Sequence, residues 1–307
     1  MARSDKLTAN AAGASGLVRV SYGNQGIVEL ADGQCVDAVF RRSVGRPFCG
    51  DRVSVEPVDE HSWAVTAIAT RRNEFARVDR HGRKQIIASN LDRVAIVIAP
   101  RPAPSTDLVE RYLVAVHSLA SEPVLVINKV ELLHQGAGVA EHPFDRLEEY
   151  RALGYRVVTT SCKGDPGIDE LLPLLHEHTA ILVGQSGVGK SSLANRLIPD
   201  LDLQTGELSR ATGKGTHTTT TTIMYRMRGG GRLIDSPGVW EYGLWTMSAD
   251  ELADGFPEFS AYVGTCRFND CQHASEPGCA ITAAVGEGHI LPWRYAAYRR
   301  LLLQNAT

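Results

Sequence analysis

The sequence predicts a multidomain α/β protein in three parts. These are an N-terminal β-barrel, a nucleotide-binding α/β domain, and a C-terminal Cys/His module with helices. Three observations predict it. Short Val-rich segments separated by Gly, Asp and Pro fill residues 16–70. From residue 93, continuous apolar runs alternate with helical patterns. After residue 247 that alternation stops, and a Cys/His cluster precedes a helical tail. The boundaries that follow are 1–72 for a polar tail and barrel, 73–247 for a linker and the nucleotide domain, and 248–307 for the metal module. A length of 307 residues suits two or three domains.

In the first part LVRVSYGNQGIVEL, QCVDAVFRR, DRVSVEPV and SWAVTAIAT read as strands bounded by turn residues. A five-stranded barrel of the oligonucleotide-binding (OB) type has the right size. Cys35 and Cys49 read as ordinary barrel residues. Residues 73–92, which include RVDRHGRK, read as a basic linker.

Composition narrows the class. A chain 43% hydrophobic and 22% charged is a globular one. The formal net charge of -3 excludes a basic nucleic-acid coat, so any RNA contact is a local patch. No apolar run reaches the ~18 residues of a membrane helix. The start, MARSDKLTANAAGASG, lacks the apolar core of a signal peptide. A cytoplasmic protein without membrane contact is expected, with its six cysteines as thiols or metal ligands.

In the middle part RVAIVIA, VLVIN, YRVVTTS and AILVG read as strands. Between them DLVERYLVAVHSLA, FDRLEEYRALG and IDELLPLLHEH read as helical. Buried strands alternating with helices indicate a mainly parallel sheet.

The strand AILVG feeds GQSGVGKSS. Gly184, Gln185, Ser186, Gly187, Val188, Gly189, Lys190 and Ser191 fit G-x-x-x-x-G-K-[ST], and Ser192 follows. Glycines let backbone amides turn inward onto phosphate oxygens. Lys190 would neutralise the β- and γ-phosphates, and Ser191 would ligate Mg²⁺. The helix beginning here aims its positive end at the same anion.

Three further segments favour GTP over ATP. RLIDSPG ends a strand with the D-x-x-G pattern, Asp235 to Gly238, where the Asp reaches Mg²⁺ and the Gly amide senses the γ-phosphate. It follows TIMYRMRGGGRLID, which reads as a hairpin turning on the Gly run. GTHTTTTT lies between loop and hairpin, and Thr218 or Thr219 would complete Mg²⁺ coordination and order a switch. Asn128, Lys129 and Glu131 form a guanine-reading motif. The Glu131 carboxylate accepts from guanine N1–H and the 2-amino group, donors that adenine lacks. Ser161, Cys162 and Lys163 resemble the S-A-K loop that contacts the guanine oxygen.

The order is therefore guanine motif, S-A-K-like loop, phosphate loop, threonine switch, D-x-x-G. This is a circularly permuted P-loop GTPase domain, and permutation is compatible with one sheet because chain ends in compact domains lie close together. It also tethers whatever follows directly to the γ-phosphate sensor.

With these motifs the chain resembles the small-ribosomal-subunit biogenesis GTPases of bacteria, the RsgA/YjeQ type. ASNLDRVAIVIAP and the GTHTTT stretch share in the resemblance. It implies an OB-fold barrel, and GTP hydrolysis stimulated by the small (30S) ribosomal subunit. It further implies late action in 30S maturation. The partners implied are the subunit with its rRNA, and GTP or GDP, the protein being a monomer off the ribosome. Departures are Glu131 where Asp is commoner, and Thr216 where a basic residue often precedes the His.

The position after D-x-x-G, where many GTPases carry a water-orienting Gln, is Val239. His217, beside the threonines, is the candidate to orient or deprotonate water; the alternative is an exposed loop histidine. The other open reading of the whole chain is a nucleotide-gated rRNA-binding module with incidental turnover.

Cys266, Cys271, His273 and Cys279 give C-x4-C-x-H-x5-C. Three thiolates and an imidazole suit one closed, structural tetrahedral Zn²⁺. The resemblance implies the same four ligands. Arg41, Arg42 and Arg46, near Phe40 and Phe48, form a candidate RNA surface on the barrel. In the tail, Trp293, Tyr295 and Tyr298 read better as packing, and Arg294, Arg299 and Arg300 as RNA contacts.

Overall fold

The computed structural model describes residues 13–59, 62–78, 84–105, 107–135, 141–164, 167–199, 201, 204, 222–236 and 247–305. The first five strands are β1 (Ala14–Tyr22), β2 (Gln25–Leu30), β3 (Cys35–Phe40), β4 (Arg52–Pro57) and β5 (Trp63–Ile68). They run in the order β1-β2-β3-β5-β4, and β4 pairs back onto β1, which closes a five-stranded barrel of the OB kind. Alternate side chains point inward. Val18, Val28, Val36, Phe40, Val53, Val55 and Val65 fill the interior. Phe40 is therefore barrel core, not a stacking platform.

Residues 74–89 are not a plain linker. β6 (Glu74–Val78) and β7 (Lys84–Ser89) form an antiparallel hairpin. Its fully buried Phe75 and Ala88 tie it into the main core. Asp51, also fully buried, accepts from Ser89 Oγ at 2.6 Å and from Arg71 Nε at 2.8 Å, joining barrel to hairpin.

The nucleotide domain follows. Its strands are β8 (Arg93–Ile98), β9 (Glu122–Asn128), β10 (Arg156–Thr160), β11 (Thr179–Val183), β12 (Ile223–Arg226) and β13 (Arg232–Asp235). The order is β10-β9-β8-β11-β13-β12, parallel except for β12, which runs antiparallel to β13. Side chains alternate between two apolar layers. Val94, Ile96, Ile98, Ile181 and Val183 face one layer, with α1 (Leu108–His117). Ala95, Val97, Ala180 and Leu182 face the other, with α4 (Leu171–Leu175) and α5 (Lys190–Leu197). Between these helices lie α2 (Glu141–Phe144) and α3 (Leu147–Ala152). α4 is shorter than its sequence pattern, because residues 167–170 form a turn.

The barrel sheet continues into this one. Val20 of β1 pairs with Ile223 of β12, which gives eleven strands in series. A bulge between Val18 and Val20 bends β1, so its first half closes the barrel while its second reaches β12.

The last part is helical, with α6 (Ala249–Asp254), α7 (Ala280–Gly286) and α8 (Pro292–Asn305). α6 begins with a capping box: Glu251 N donates to Ser248 Oγ, and Ser248 N donates to Glu251 Oε2. Phe256, Phe259, Tyr298 and Leu301 form its core, against Val114 of α1. Among the described residues, no helix is long and apolar enough to cross a membrane.

Candidate functional site

The phosphate-loop sequence links β11 to α5, at the C-terminal ends of the parallel strands. Three of its glycines have positive φ: Gly184 at 141°, Gly187 at 78° and Gly189 at 98°. Close approach explains two of them. A Cβ on Gly184 would lie 2.1 Å from Val97 O, and one on Gly189 would lie 2.3 Å from Asn128 Nδ2. The loop can thus press its backbone against β8 and β9. Lys190 folds back over it, donating to Gly184 O at 2.6 Å and Gln185 O at 2.7 Å. Burial pushes the Lys190 ammonium down to about 8. Ser186, Ser191 and Ser192 are exposed on the loop and first turn.

The guanine-type motif meets this loop directly. Asn128 ends β9 as a buried residue; its Nδ2 donates to Val188 O at 2.8 Å, and its Oδ1 accepts from Thr160 Oγ1 at 3.1 Å. Lys129, at φ 58°, donates from Nζ to Gly187 O at 2.6 Å and Arg101 O at 2.9 Å. Glu131 lies in a 3-10 turn, Val130–Gln135, and its buried Oε2 has no hydrogen-bond partner. That oxygen has the chemistry of an acceptor for a base edge. After β10, Ser161 Oγ accepts from the amides of Lys163 and Gly164, both at 3.1 Å, which turns the 161–164 loop. Cys162 O accepts from Arg196 on α5 at 2.9 Å, joining this loop to the helix after the phosphate loop. Gln185 also carries a buried, unpartnered Oε1, which the motif alone does not signal.

Asp235 terminates β13 beside the strand carrying the phosphate loop. Ser191 and Asp235 supply oxygens suited to Mg²⁺. Thr218, Thr219, His217 and Gly238 lie outside the described residues, as do Thr216 and Val239.

The second cluster draws together Cys266, Cys271, His273 and Cys279, with ligand atoms within 4.8 Å of one another. A tetrahedral ion with Zn–S of about 2.3 Å and Zn–N of about 2.0–2.1 Å needs S–S edges near ~3.8 Å and S–N edges near ~3.6 Å. The Cys266–Cys279 sulfurs are 3.9 Å apart, and His273 Nδ1 lies 3.4 and 3.6 Å from them. The donor set fits such an ion. Glu276 braces the loop, accepting from the amides of Gln272, Ala274 and Ser275. Tyr295 and Tyr298 of α8 donate to the His273, Ala274 and Gln272 carbonyls at 2.7–3.0 Å. These tyrosines hold the cluster to the tail helix, as the packing reading expected.

The arginines divide. Arg41, Arg42 and Arg46 are exposed; Arg41 is 4.0 Å from Glu56, and Arg46 lies over the Phe48 ring at 5.4 Å. Arg299 is exposed. Arg300 is exposed too, and gives both Nε and an NH2 to Asp107 at 2.8 and 2.6 Å at a domain junction. Arg294 is a clear correction, because it is 0% exposed. It donates to Glu258 at 2.6 Å and lies over the Phe256 ring at 4.5 Å. An alternation of charge and aromatics in a tail helix reads equally well as surface or as buried junction.

Comparison with known proteins agrees with the permuted arrangement. The RsgA GTPase family profile matches residues 68–245. A Pseudomonas aeruginosa protein named small ribosomal subunit biogenesis GTPase RsgA is 43% identical over 94% of this chain and 84% of its own length. The Haemophilus influenzae protein of that name is 40% identical over 94% of this chain and 84% of its own. The crystal structure of YjeQ from Thermotoga maritima superposes with a TM-score of 0.76 at 28% identity, covering 96% of this chain and 99% of that one. YloQ, described as a circularly permuted GTPase, shares the fold with a TM-score of 0.75 at 23% identity, over 98% of each chain. With a family profile over more than half of its length and relatives 40–43% identical across 94% of it, the chain belongs to the RsgA GTPase family.

Proposed function

We propose that this protein hydrolyses GTP, that the small ribosomal subunit stimulates the reaction, and that it acts as a checkpoint late in assembly of that subunit. The observation that carries the reading is the contact of Asn128 and Lys129 with Val188 and Gly187, which joins a guanine motif to a phosphate loop sixty residues later in the chain. The names of the relatives supply the partner.

In this reading the phosphate-loop amides and Lys190 hold the β- and γ-phosphates. Glu131 reads guanine, with the Ser161–Lys163 loop beside it. Ser191, Asp235 and one of Thr218 or Thr219 hold Mg²⁺, which would draw charge from the transferring phosphoryl oxygens. Gly238 senses the γ-phosphate. Val239 has no hydrogen-bonding side chain, so His217 orients or deprotonates water once the subunit brings it to the nucleotide. The Cys3His cluster holds zinc. Arg41, Arg42, Arg46 and Arg299 face rRNA, and the protein works in the cytoplasm as a monomer when off the ribosome.

The test is phosphate release from GTP and from ATP, each with and without purified small subunits. The reading expects GTP-selective turnover that rises sharply with subunits and is lost in His217→Ala with GTP binding retained. Slow turnover indifferent to subunits would replace it with a nucleotide-gated binding module.

A further inference from the structure

Around Glu29 the barrel grips the hairpin that ends in Asp235. Glu29, on β2, is 6% exposed. Three guanidinium groups converge on its carboxylate, each from a different strand. Arg19 of β1 pairs with Oε2. Arg226 of β12 and Arg232 of β13 reach Oε1 at 3.2 and 3.0 Å. Arg19 is 3% exposed and also donates from Nε to Met224 O of β12 at 2.6 Å. Arg226 donates onward to Gly33 O, in the turn after β2, at 3.1 Å.

These bonds span the whole hairpin. At its threonine end, Ile223 pairs with Val20. In its middle, Met224 O is held by Arg19. At its turn end, Arg226 and Arg232 share Glu29. β12 starts directly after the threonine run, and β13 ends in Asp235. A rotation of the barrel therefore cannot leave the hairpin behind. Three cations on one carboxylate are a costly way to make a core, since apolar packing serves stability as well or better. What charge adds is direction, because guanidinium forks fix the angle of each strand relative to the carboxylate.

We infer that Glu29 is a positioning residue through which docking of the barrel on ribosomal RNA sets the place of Asp235 for GTP hydrolysis. The inference rests on the function proposed above. It adds that the barrel is part of the activating path as well as an anchor. By linkage, the same path makes the affinity for the subunit depend on the nucleotide.

The experiment uses the full chain with purified small subunits, and reads three quantities. They are basal turnover, subunit-stimulated turnover, and subunit affinity with a non-hydrolysable GTP analogue against GDP. The parent protein comes first: no stimulation there removes the proposed function itself, and the inference with it. Given stimulation, Glu29→Gln keeps the side-chain size and one acceptor but loses the charge. Arg226→Ala cuts the same grip at a side chain that is half exposed, so a folding defect in one variant does not silence the test. For both, basal turnover and affinity in GDP stay within about twofold of the parent. Stimulated turnover falls about tenfold or more; separately, the preference of subunit binding for the GTP-analogue state shrinks about tenfold, which corresponds to about 1.4 kcal/mol of binding coupling. Full stimulation in both variants overturns the inference. So does a proportional fall in basal and stimulated turnover, which would mark Glu29 as a structural residue only.

Discussion

Asn128 Nδ2 donates to Val188 O at 2.8 Å, and this bond ties the end of β9 to the loop between β11 and α5. The same amide sits 2.3 Å from where a Cβ on Gly189 would be. Asn128→Ala leaves Val188 O and Thr160 Oγ1 without their partner in a buried place, a cost of about 1–3 kcal/mol. The variant should bind GTP about tenfold or more weakly, with its melting temperature lowered by several degrees. Equilibrium titration well below the melting temperature separates the two effects. Parental affinity there would mean that the loop holds its shape without Asn128.

Glu131 should discriminate nucleotides by the 2-amino group. Its buried Oε2 has no partner, so a base donor there relieves an existing penalty. ITP lacks that amino group and should bind the parent about tenfold more weakly than GTP. In Glu131→Ala the two should bind alike. A GTP preference that survives the substitution would assign selection to the 161–163 loop instead.

Lys190 gives nucleotide binding a pH signature. Burial lowers its ammonium to about 8 from 10.5. Because the folded value lies below the unfolded one, the unfolded chain holds more protons between pH 8 and 10.5. This group's contribution to stability therefore rises with pH across that window. Bound phosphate reverses the bias by favouring the charged form. GTP binding should then take up protons near pH 8–9 and weaken above it. Calorimetry in two buffers of different ionisation enthalpy measures the uptake, which Lys190→Met should abolish.

The contiguous motifs were legible because their chemistry depends on residues adjacent in the chain. GQSGVGKSS and the Cys/His spacing each imply their own local geometry, short Val-rich segments between turn residues gave the barrel, and continuous apolar runs alternating with helical patterns gave the parallel sheet. The permutation was legible from motif order alone. What escaped notice depends on partners far away in sequence. Arg19 and Glu29 read as ordinary strand residues until Arg226 and Arg232 arrive some two hundred residues later. Arg294 read as surface because its carboxylate, Glu258, and its rings belong to other elements. The 74–89 hairpin was hidden because RVDRHGRK, which runs from its first strand to its second, reads as a linker in sequence.

Chelation tests the Cys3His cluster. The Cys266 and Cys279 sulfurs and the His273 nitrogen stand near tetrahedral edge distances, and the loop between them has little apolar core besides Cys271 and Cys279. Removing the ion should expose residues 248–307 to protease while residues 73–247 stay folded and still bind GTP, because metal binding and folding are coupled in such segments. Elemental analysis should find one zinc per chain. A chelated protein with unchanged protease resistance would show that Glu276, Tyr295 and Tyr298 hold the loop without the ion.

Arg294 links the C-terminal module to the nucleotide domain. It is wholly buried, ion-paired to Glu258 of its own module, with Glu110 of α1 at 4.0 Å and Tyr155 OH at 3.3 Å. Glu110 also accepts from Tyr150 OH, so the charge network runs into the α1–α3 face. Arg294→Leu takes the guanidinium away from Glu258 and from the neighbourhood of Glu110, and breaking a buried pair in this way costs about 3–5 kcal/mol. The first effect should be separation of the domains, since the charge is at the junction rather than in either core. Thermal unfolding should split into two transitions, the lower one matching loss of protease resistance in residues 248–307. Glu258→Gln with Arg294→Met removes both charges at once and should recover much of the loss, because an apolar replacement leaves fewer charges unpaired. A single transition at the parental temperature in Arg294→Leu would mean that the apolar contacts of Phe256, Phe259 and Val114 hold the module without the charge network.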